Sequence, residues 1–133
     1  MALCLIIDDN RDSREGVAEY LQAFGFEVEV AADGEDGLAL MQRHAPDVLI
    51  LDLQMRGLDG WELIRRIRAD SRLVHLPVIV ISACVFPDDQ ARATAAGCDL
   101  FLTKPCAPGD MLRAVRSLLP AGARSMARHG ESG

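Results

Sequence analysis

Residues 48–52 read VLILD, four apolar side chains that end on a carboxylate. The runs LCLIID at 3–8 and VIVIS at 78–82 have the same nearly continuous apolar character. A strand with one face in water alternates apolar and polar residues, whereas a strand buried on both faces does not need to. These three runs therefore predict central strands of a parallel sheet that helices cover on both faces.

Two further runs, EVEVA at 27–31 and LFLT at 100–103, bring the predicted strands to five. Helical spacing of apolar residues follows each strand, and we predict helices at 13–24, 34–44, 60–70, 87–96 and 110–119. The fourth of these is rich in alanine and has little apolar surface, so we expect it to be the least firmly packed. Alternating strands and helices indicate right-handed βαβ units. The predicted fold is α/β, a (βα)5 doubly wound, five-stranded parallel sheet.

Composition and charge exclude several classes of protein. The chain has 133 residues, enough for one domain, and a net charge of −6, which argues against a nucleic-acid-binding surface. No apolar run approaches the roughly 20 residues of a membrane span, and the N-terminus lacks the positive region of a signal peptide, so we expect a cytoplasmic protein. The cysteines show no C-x-x-C spacing and are interpreted as free thiols, at Cys4, Cys84, Cys98 and Cys106.

Polar side chains stand where four of the predicted strands end. Asp8 and Asp9 follow the first strand, Asp52 ends the third, Ser82 ends the fourth and Lys104 follows the fifth. Each has an ordinary explanation by itself, as a turn residue, a helix cap or a solvated loop charge. Parallel sheets, however, place their functional residues at the carboxyl ends of the strands. The joint occurrence favours one site.

The residue types indicate phosphoryl chemistry. Three close carboxylates repel one another, and a divalent cation and a lysine are the partners that would neutralise them. Carboxylates without His or Cys suit Mg²⁺, which takes one or two carboxylates and a phosphate oxygen. A carboxylate can then attack phosphorus while positive groups stabilise the phosphoryl oxygens. Lys104, the single lysine among the 14 positively charged side chains, would be one of these positive groups.

Five blocks of sequence around these positions form a larger pattern. They are LIIDDN at 5–10, LILDLQM at 49–55, GLDG at 57–60, VIVISA at 78–83 and GCDLFLTKP at 97–105. Together they resemble a response-regulator receiver domain over residues 2–119, with 120–133 as a flexible C-terminal tail or the start of a linker. The resemblance implies the flavodoxin-like strand order 2-1-3-4-5.

The resemblance also implies a role for each site residue. Asp52 would be the phosphoacceptor, and Asp9 would bind Mg²⁺ directly while Asp8 helps through water. Asp52 and the backbone carbonyl of Gln54 would complete the protein ligands. Ser82 would donate a hydrogen bond to the phosphoryl group and move toward it.

Three further roles follow from the same resemblance. Lys104 would pair with a phosphoryl oxygen, and Phe101 would be the switch aromatic that changes its exposure as Ser82 moves. Pro105 would follow Lys104 through a cis peptide bond. Arg56 departs from the usual pattern, because many receivers have Pro at this position. Cys84 lies two residues after Ser82, where its side chain could tune the site.

The implied partner is a histidine kinase or a histidine phosphotransfer protein. The face formed by residues 87–116 would dimerise or contact an output partner, with no direct nucleic-acid or membrane contact by this domain. Arg92, Arg113 and Arg116 on that face are either dimer contacts or solvated charges. Trp61 is either a contact for a partner or a half-buried helix cap. The chain is either a stand-alone regulator or the N-terminal part of a longer one.

Two other functions compete with this interpretation. A Mg²⁺-dependent phosphohydrolase could use an aspartyl intermediate on a similar sheet, but it usually needs a second acid–base carboxylate, and Asp52 is followed by Leu53 and Gln54 without a D-x-D pair. An interaction module that is never phosphorylated usually lacks one site residue, and here each is present. We therefore expect a signalling domain rather than an enzyme.

Overall fold

The computed structural model describes residues 2–53, 59–83 and 87–119. Strands and helices alternate along these residues, as follows: β1 Leu3–Ile7, α1 Arg11–Ala23, β2 Glu27–Ala31, α2 Gly34–Arg43, β3 Val48–Asp52, α3 Gly60–Ala69, β4 Val78–Ser82, α4 Pro87–Ala96, β5 Leu100–Thr103 and α5 Pro108–Leu118. The strands pair in parallel in the order β2-β1-β3-β4-β5. The predicted fold class and strand order are confirmed.

The sheet carries a hydrophobic core on each face. Along β1, Cys4 and Ile6 belong to one core, and Leu5 and Ile7 belong to the other. The first core is closed by α1 and α5, and the second by α2 and α3. Of the described α4 side chains, only Ala96 packs against a core, as expected for a helix with so little apolar surface. The continuous apolar runs of the sequence are explained by this burial on both faces.

Two helices begin earlier than the sequence pattern predicts. The first starts at Arg11 because the side chain of Asn10 accepts a hydrogen bond from the backbone N–H of Ser13, at 2.9 Å, which caps the first turn. The last starts at Pro108, whose fixed backbone angle suits the first helical position. In both cases the residues that start the helix precede the apolar periodicity on which the prediction was based.

Strand register brings the predicted functional residues to one edge of the sheet. Asp52 lies opposite Ile81, and Ser82 lies opposite Thr103. The backbone N–H of Lys104 donates to the carbonyl of Ser82 at 2.9 Å, which extends the pairing beyond β5. The Lys104–Pro105 peptide bond is cis, as the resemblance implied.

Several predictions fall on residues that the structure does not describe. They concern Gln54, Arg56, Cys84 and the tail at 120–133, and they stay predictions. Among the described residues, the longest apolar helices are too short or too polar to cross a membrane.

Candidate functional site

Three carboxylates meet at the carboxyl edge of the sheet. One carboxylate oxygen from each of Asp8, Asp9 and Asp52 lies within 4.8 Å of the other two. Asp8 and Asp52 are buried, with exposed fractions of 7% and 4%, whereas Asp9 faces solvent. The cluster therefore has a buried wall and an open side, and a ligand could enter from the open side.

Asp8 is held in place by contacts from three directions. Its backbone N–H donates to the carbonyl of Ala31 at 3.1 Å, and its Oδ1 accepts from the N–H of Asn10 at 2.9 Å. Its own carbonyl accepts from Nη1 of Arg14 at 3.1 Å. Sequence reasoning missed Arg14, whose only signal is its position on the first turn of the helix that follows the acidic pair.

Lys104 closes the cluster from the far edge of the sheet. Its Nζ donates to Oδ2 of Asp52 at 2.9 Å, across 52 residues of sequence. Partial burial acts to lower the pKa of Lys104, but the hydrogen bond to Asp52 and the negative charges of Asp52, Asp8 and Asp9 outweigh it, so the pKa is raised. The ammonium therefore stays charged beside the carboxylates, and the predicted proximity of Lys104 to Asp52 is found.

Ser82 and Phe101 lie on the next two strands. Ser82 is completely buried at the end of β4, beside the strand that carries Asp52. Phe101 lies opposite Val80 on β5 and is half-buried against the core on the α2–α3 side. These positions place a hydroxyl one strand from Asp52, and an aromatic ring at the edge of the face formed by α4, β5 and α5.

The carboxylates fit a small, hard cation. Their donor atoms are all oxygens, the type that Mg²⁺ prefers, and opposite ligands of an octahedral Mg²⁺ ion lie about 4.2 Å apart. The 4.8 Å limit of this cluster is close to that spacing. The exposure of Asp9 also leaves room for the water molecules that Mg²⁺ retains.

Several other polar and aromatic residues lie away from this cluster. His44 caps α2 and pairs with Glu29 at 3.1 Å. Trp61 is half-buried on the first turn of α3, with the guanidinium of Arg92 4.6 Å from its ring centre. Three cysteines are free thiols, as predicted: Cys4, Cys98 and Cys106.

Arg113 and Arg116 make contacts within the chain. Arg113 pairs with Asp110 on its own helix, and the Arg116 guanidinium lies 5.4 Å from the ring centre of Phe24, the C-cap of α1. Arg116 is therefore directed toward α1 rather than toward β5.

Comparison with known proteins identifies close relatives. The family model described as "Response regulator receiver domain" matches residues 4–116. Response regulator Rre1 of Synechocystis is 34% identical over 116 residues, and response regulator MprA of Mycobacterium leprae is 36% identical over 115 residues. Each alignment covers 86% of this chain but 50% of the relative, so the chain spans about half the length of these curated relatives.

The solved structures give the same answer for the fold. The chemotaxis response regulator CheY4 of Vibrio cholerae superimposes with a TM-score of 0.84 at 33% identity, covering 90% of this chain and 99% of that one. The Francisella response regulator 1452 receiver domain gives a TM-score of 0.83 at 27% identity, covering 89% and 96%.

Proposed function

Because this chain belongs to the response regulator receiver domain family of two-component signalling, we propose that Asp52 is its phosphoacceptor. The donor is a histidine kinase or a histidine phosphotransfer protein. The observation that carries the proposal is the contact between Asp52, almost fully buried, and the ammonium of Lys104 at 2.9 Å, beside two further carboxylates.

Phosphoryl transfer needs a nucleophile and compensation for charge. A carboxylate oxygen of Asp52 forms a bond to phosphorus while the donor's P–N bond breaks, and the departing imidazole nitrogen takes the electron pair and a proton from solvent. Lys104 has three N–H donors, so it can keep one on Asp52 and give another to a phosphoryl oxygen. Its side chain is 32% exposed, which leaves it accessible to the incoming group.

We propose that the acidic cluster holds Mg²⁺. Asp9 and Asp52 would bind the ion directly while Asp8 helps through water, and the backbone carbonyl of Gln54 would complete the protein ligands. When bound, Mg²⁺ neutralises the negative charge on the phosphoryl oxygens. The oxygen-only donor set and its 4.8 Å spread support this proposal.

The modification acts as a switch because it adds negative charge and acceptor oxygens to Asp52. The hydroxyl of Ser82 donates to a new phosphoryl oxygen and draws the end of β4 toward the site. Lys104 follows, since its backbone N–H is bonded to the carbonyl of Ser82. Phe101 then changes its exposure. The described side chains of α4 support this step, because only Ala96 among them packs against a core and side chains with few core contacts can shift at small cost.

The affected surface is the face formed by residues 87–116. An open groove of about 530 Å³ lies on it, with Phe101 and Leu102 of β5 on one side and Arg113 and Ser117 of α5 on the other. We propose that this face binds an output partner or a second copy of the chain. An apolar floor with a charged rim is the usual composition of such contacts.

One mass measurement tests the acceptor. The protein is incubated with acetyl phosphate and Mg²⁺, and its intact mass is compared with that of Asp52→Asn. We expect the wild type to gain one phosphoryl group and the variant to gain none. If Asp52→Asn gains the same mass, another residue is the acceptor.

The domain bounds are also a proposal. The family match over 4–116 supports a receiver domain at 2–119, with a tail or the start of a linker at 120–133.

We propose that the protein catalyses only its own phosphorylation and dephosphorylation. With p-nitrophenyl phosphate as substrate, we expect about one equivalent to be released as the phosphorylated protein accumulates, and only slow release afterwards. Sustained rapid release without accumulation of the phosphorylated protein would favour a phosphohydrolase.

A further inference from the structure

Helices α3 and α4 border a second groove, separate from the phosphoryl site. It has a volume of about 510 Å³ and is lined by Trp61, Arg65, Arg68 and Ala69 of α3 and by Arg92 and Ala95 of α4. The α3 residues recur at helical spacing and form one stripe along the helix. From Trp61 to Ala69 the stripe is about 12 Å long, enough for about four residues of an extended chain.

The groove is lined by arginines although the protein is acidic. Three of its lining side chains are guanidinium groups, in a chain of net charge −6. Arg68 is fixed, because it donates to the carbonyls of Gly97 and Leu76 at 2.6 Å each. Arg68 also pairs with Asp99, so it shapes the wall of the groove rather than offering a donor to a ligand. Arg65 is more than half exposed at the rim, where its Nε and Nη2 donate to Glu62 and its Nη1 can reach a ligand.

Its floor is apolar and shallow. Ala69 and Ala95 have short side chains, so a ligand can approach the helix backbones closely. The half-buried Trp61 ring adds a flat apolar surface, and Arg92 lies over it at 4.6 Å. A matching ligand must carry carboxylates for Arg65 and Arg92 and small aliphatic groups for the floor.

We propose that this groove binds a short acidic segment of a partner protein. Nucleic acid fits less well, because its long array of phosphates would be repelled by the rest of a chain of net charge −6. A second copy fits less well too, since a two-fold axis would place these arginines against one another. The test is independent of phosphoryl transfer, because it uses the unphosphorylated protein and none of the site carboxylates lines the groove.

The test uses a synthetic peptide and the full chain. Trp61 is the only tryptophan, so its fluorescence reports directly on the groove. The probe is fluorescein-labelled EELAEELA, and its control carries Gln in place of each Glu. Anisotropy and Trp61 emission are recorded as the protein and peptide are titrated. We expect saturable binding of the acidic peptide that weakens as salt rises, and no saturation with the Gln peptide.

Two neighbouring arginines provide a matched pair of variants. Arg65 and Arg66 both pair with Glu62 and are similarly exposed, but only Arg65 lines the groove. We expect Arg65→Gln and Arg92→Gln to weaken peptide binding about tenfold, the effect of one charge-assisted hydrogen bond. Arg66→Gln should leave binding within about twofold, the effect of a charge outside the groove.

Four outcomes would overturn the proposal. The first two are that the acidic peptide shows no saturable binding, and that Arg65→Gln and Arg66→Gln weaken its binding equally. The third is that polyuridylate binds more tightly than the peptide and depends on Arg65, which would indicate a nucleic-acid site. The fourth is that the protein forms a dimer that Arg65→Gln dissociates, which would indicate a contact between copies. The Asp52→Asn protein should bind the peptide as the wild type does. A failure of the phosphoacceptor assignment would therefore leave this result unchanged.

Discussion

At residue 104 the charge is carried by an ammonium in a confined space. Its Nζ lies 2.9 Å from Oδ2 of Asp52, and the carboxylates of Asp8 and Asp9 lie close enough to raise its pKa. An ammonium is a compact charge, whereas a guanidinium is a broad planar fork that prefers bidentate partners. The other 13 positively charged residues are arginines, so the lysine at this position is explained by the geometry of the site.

We expect Lys104→Arg to impair phosphorylation although the charge is kept. The wider group would displace Asp52 or occupy the space of the phosphoryl oxygens, and we expect the rate of uptake to fall about tenfold or more. The measurement is the rate of mass gain with acetyl phosphate and Mg²⁺, with circular dichroism as a control for folding. A variant that is phosphorylated at the wild-type rate would refute the argument from shape.

The thiol of Cys4 makes stability depend on alkaline pH. Burial, with a smaller effect from the charge of Asp47, raises its pKa from 9.0 to about 12. Between these two values the folded protein keeps the proton while the unfolded chain loses it. The unfolded state therefore binds fewer protons, so the free energy of unfolding is fully retained below pH 9 and falls as pH rises toward 12.

We expect Cys4→Ala to reduce this alkaline loss. Urea unfolding at pH 8.5 and pH 10 should show that the wild type loses about 1 kcal/mol more than Cys4→Ala between the two conditions, the effect of one thiol with a raised pKa. Because the comparison is between slopes, the cost of replacing a buried side chain cancels. Equal losses in the two proteins would show that Cys4 ionises normally in the folded state.

At the scale of the elements, Arg68 connects α3 to the turn that follows α4. Its guanidinium donates to the carbonyls of Gly97, Val74 and Leu76 and to the carboxylate of Asp99. Gly97 has a φ of 112°, and a Cβ atom there would also lie 3.0 Å from Arg68. One side chain therefore fixes the C-terminal end of α4, whose described side chains reach the core only at Ala96.

We expect Arg68→Met to lower the free energy of unfolding by about 3 kcal/mol, since it removes several hydrogen bonds from a charged group and leaves carbonyls without this donor. Hydrogen exchange should accelerate at the backbone amides of 97–99. The matched control is Arg66→Met on the same helix, whose exposed ion pair should contribute less than about 0.5 kcal/mol. Equal destabilisation by the two variants would contradict this structural role.

At the scale of the whole molecule, the acidic cluster couples ion binding to stability. Three carboxylates share one edge of the sheet, in a chain of net charge −6. A cation that binds only the folded state stabilises it in proportion to the logarithm of its concentration. The metal proposal can therefore be tested without a phosphoryl donor.

We expect 10 mM Mg²⁺ to raise the free energy of unfolding by about 1 kcal/mol at constant ionic strength. Asp9→Asn should abolish most of this gain and should stabilise the metal-free protein, because it removes a charge that repels Asp8 and Asp52. The control is Glu19→Gln on the exposed side of α1, which should respond to Mg²⁺ as the wild type does. The same response in both variants would indicate general screening rather than a site.

Local sequence signals decided the elements and the residues of the site. Continuous apolar runs predicted strands buried on both faces, and the polar residues that end them predicted which side chains meet, from Asp8 to Lys104. These signals are reliable because a strand's burial and its end are both encoded within a few residues. The early starts of α1 and α5 were missed because caps carry no apolar periodicity.

The tertiary structure alone decided the contacts between distant residues. Lys104 reaches Asp52 across 52 positions, and Arg68 reaches Gly97 across 29. The groove that Trp61 shares with Arg92 likewise exists only once α3 packs beside α4. No local pattern encodes such distances, because they depend on strand register and on how helices pack against the sheet. The sequence by itself determined which chemistry is available, and the fold decided which groups are close enough to perform it.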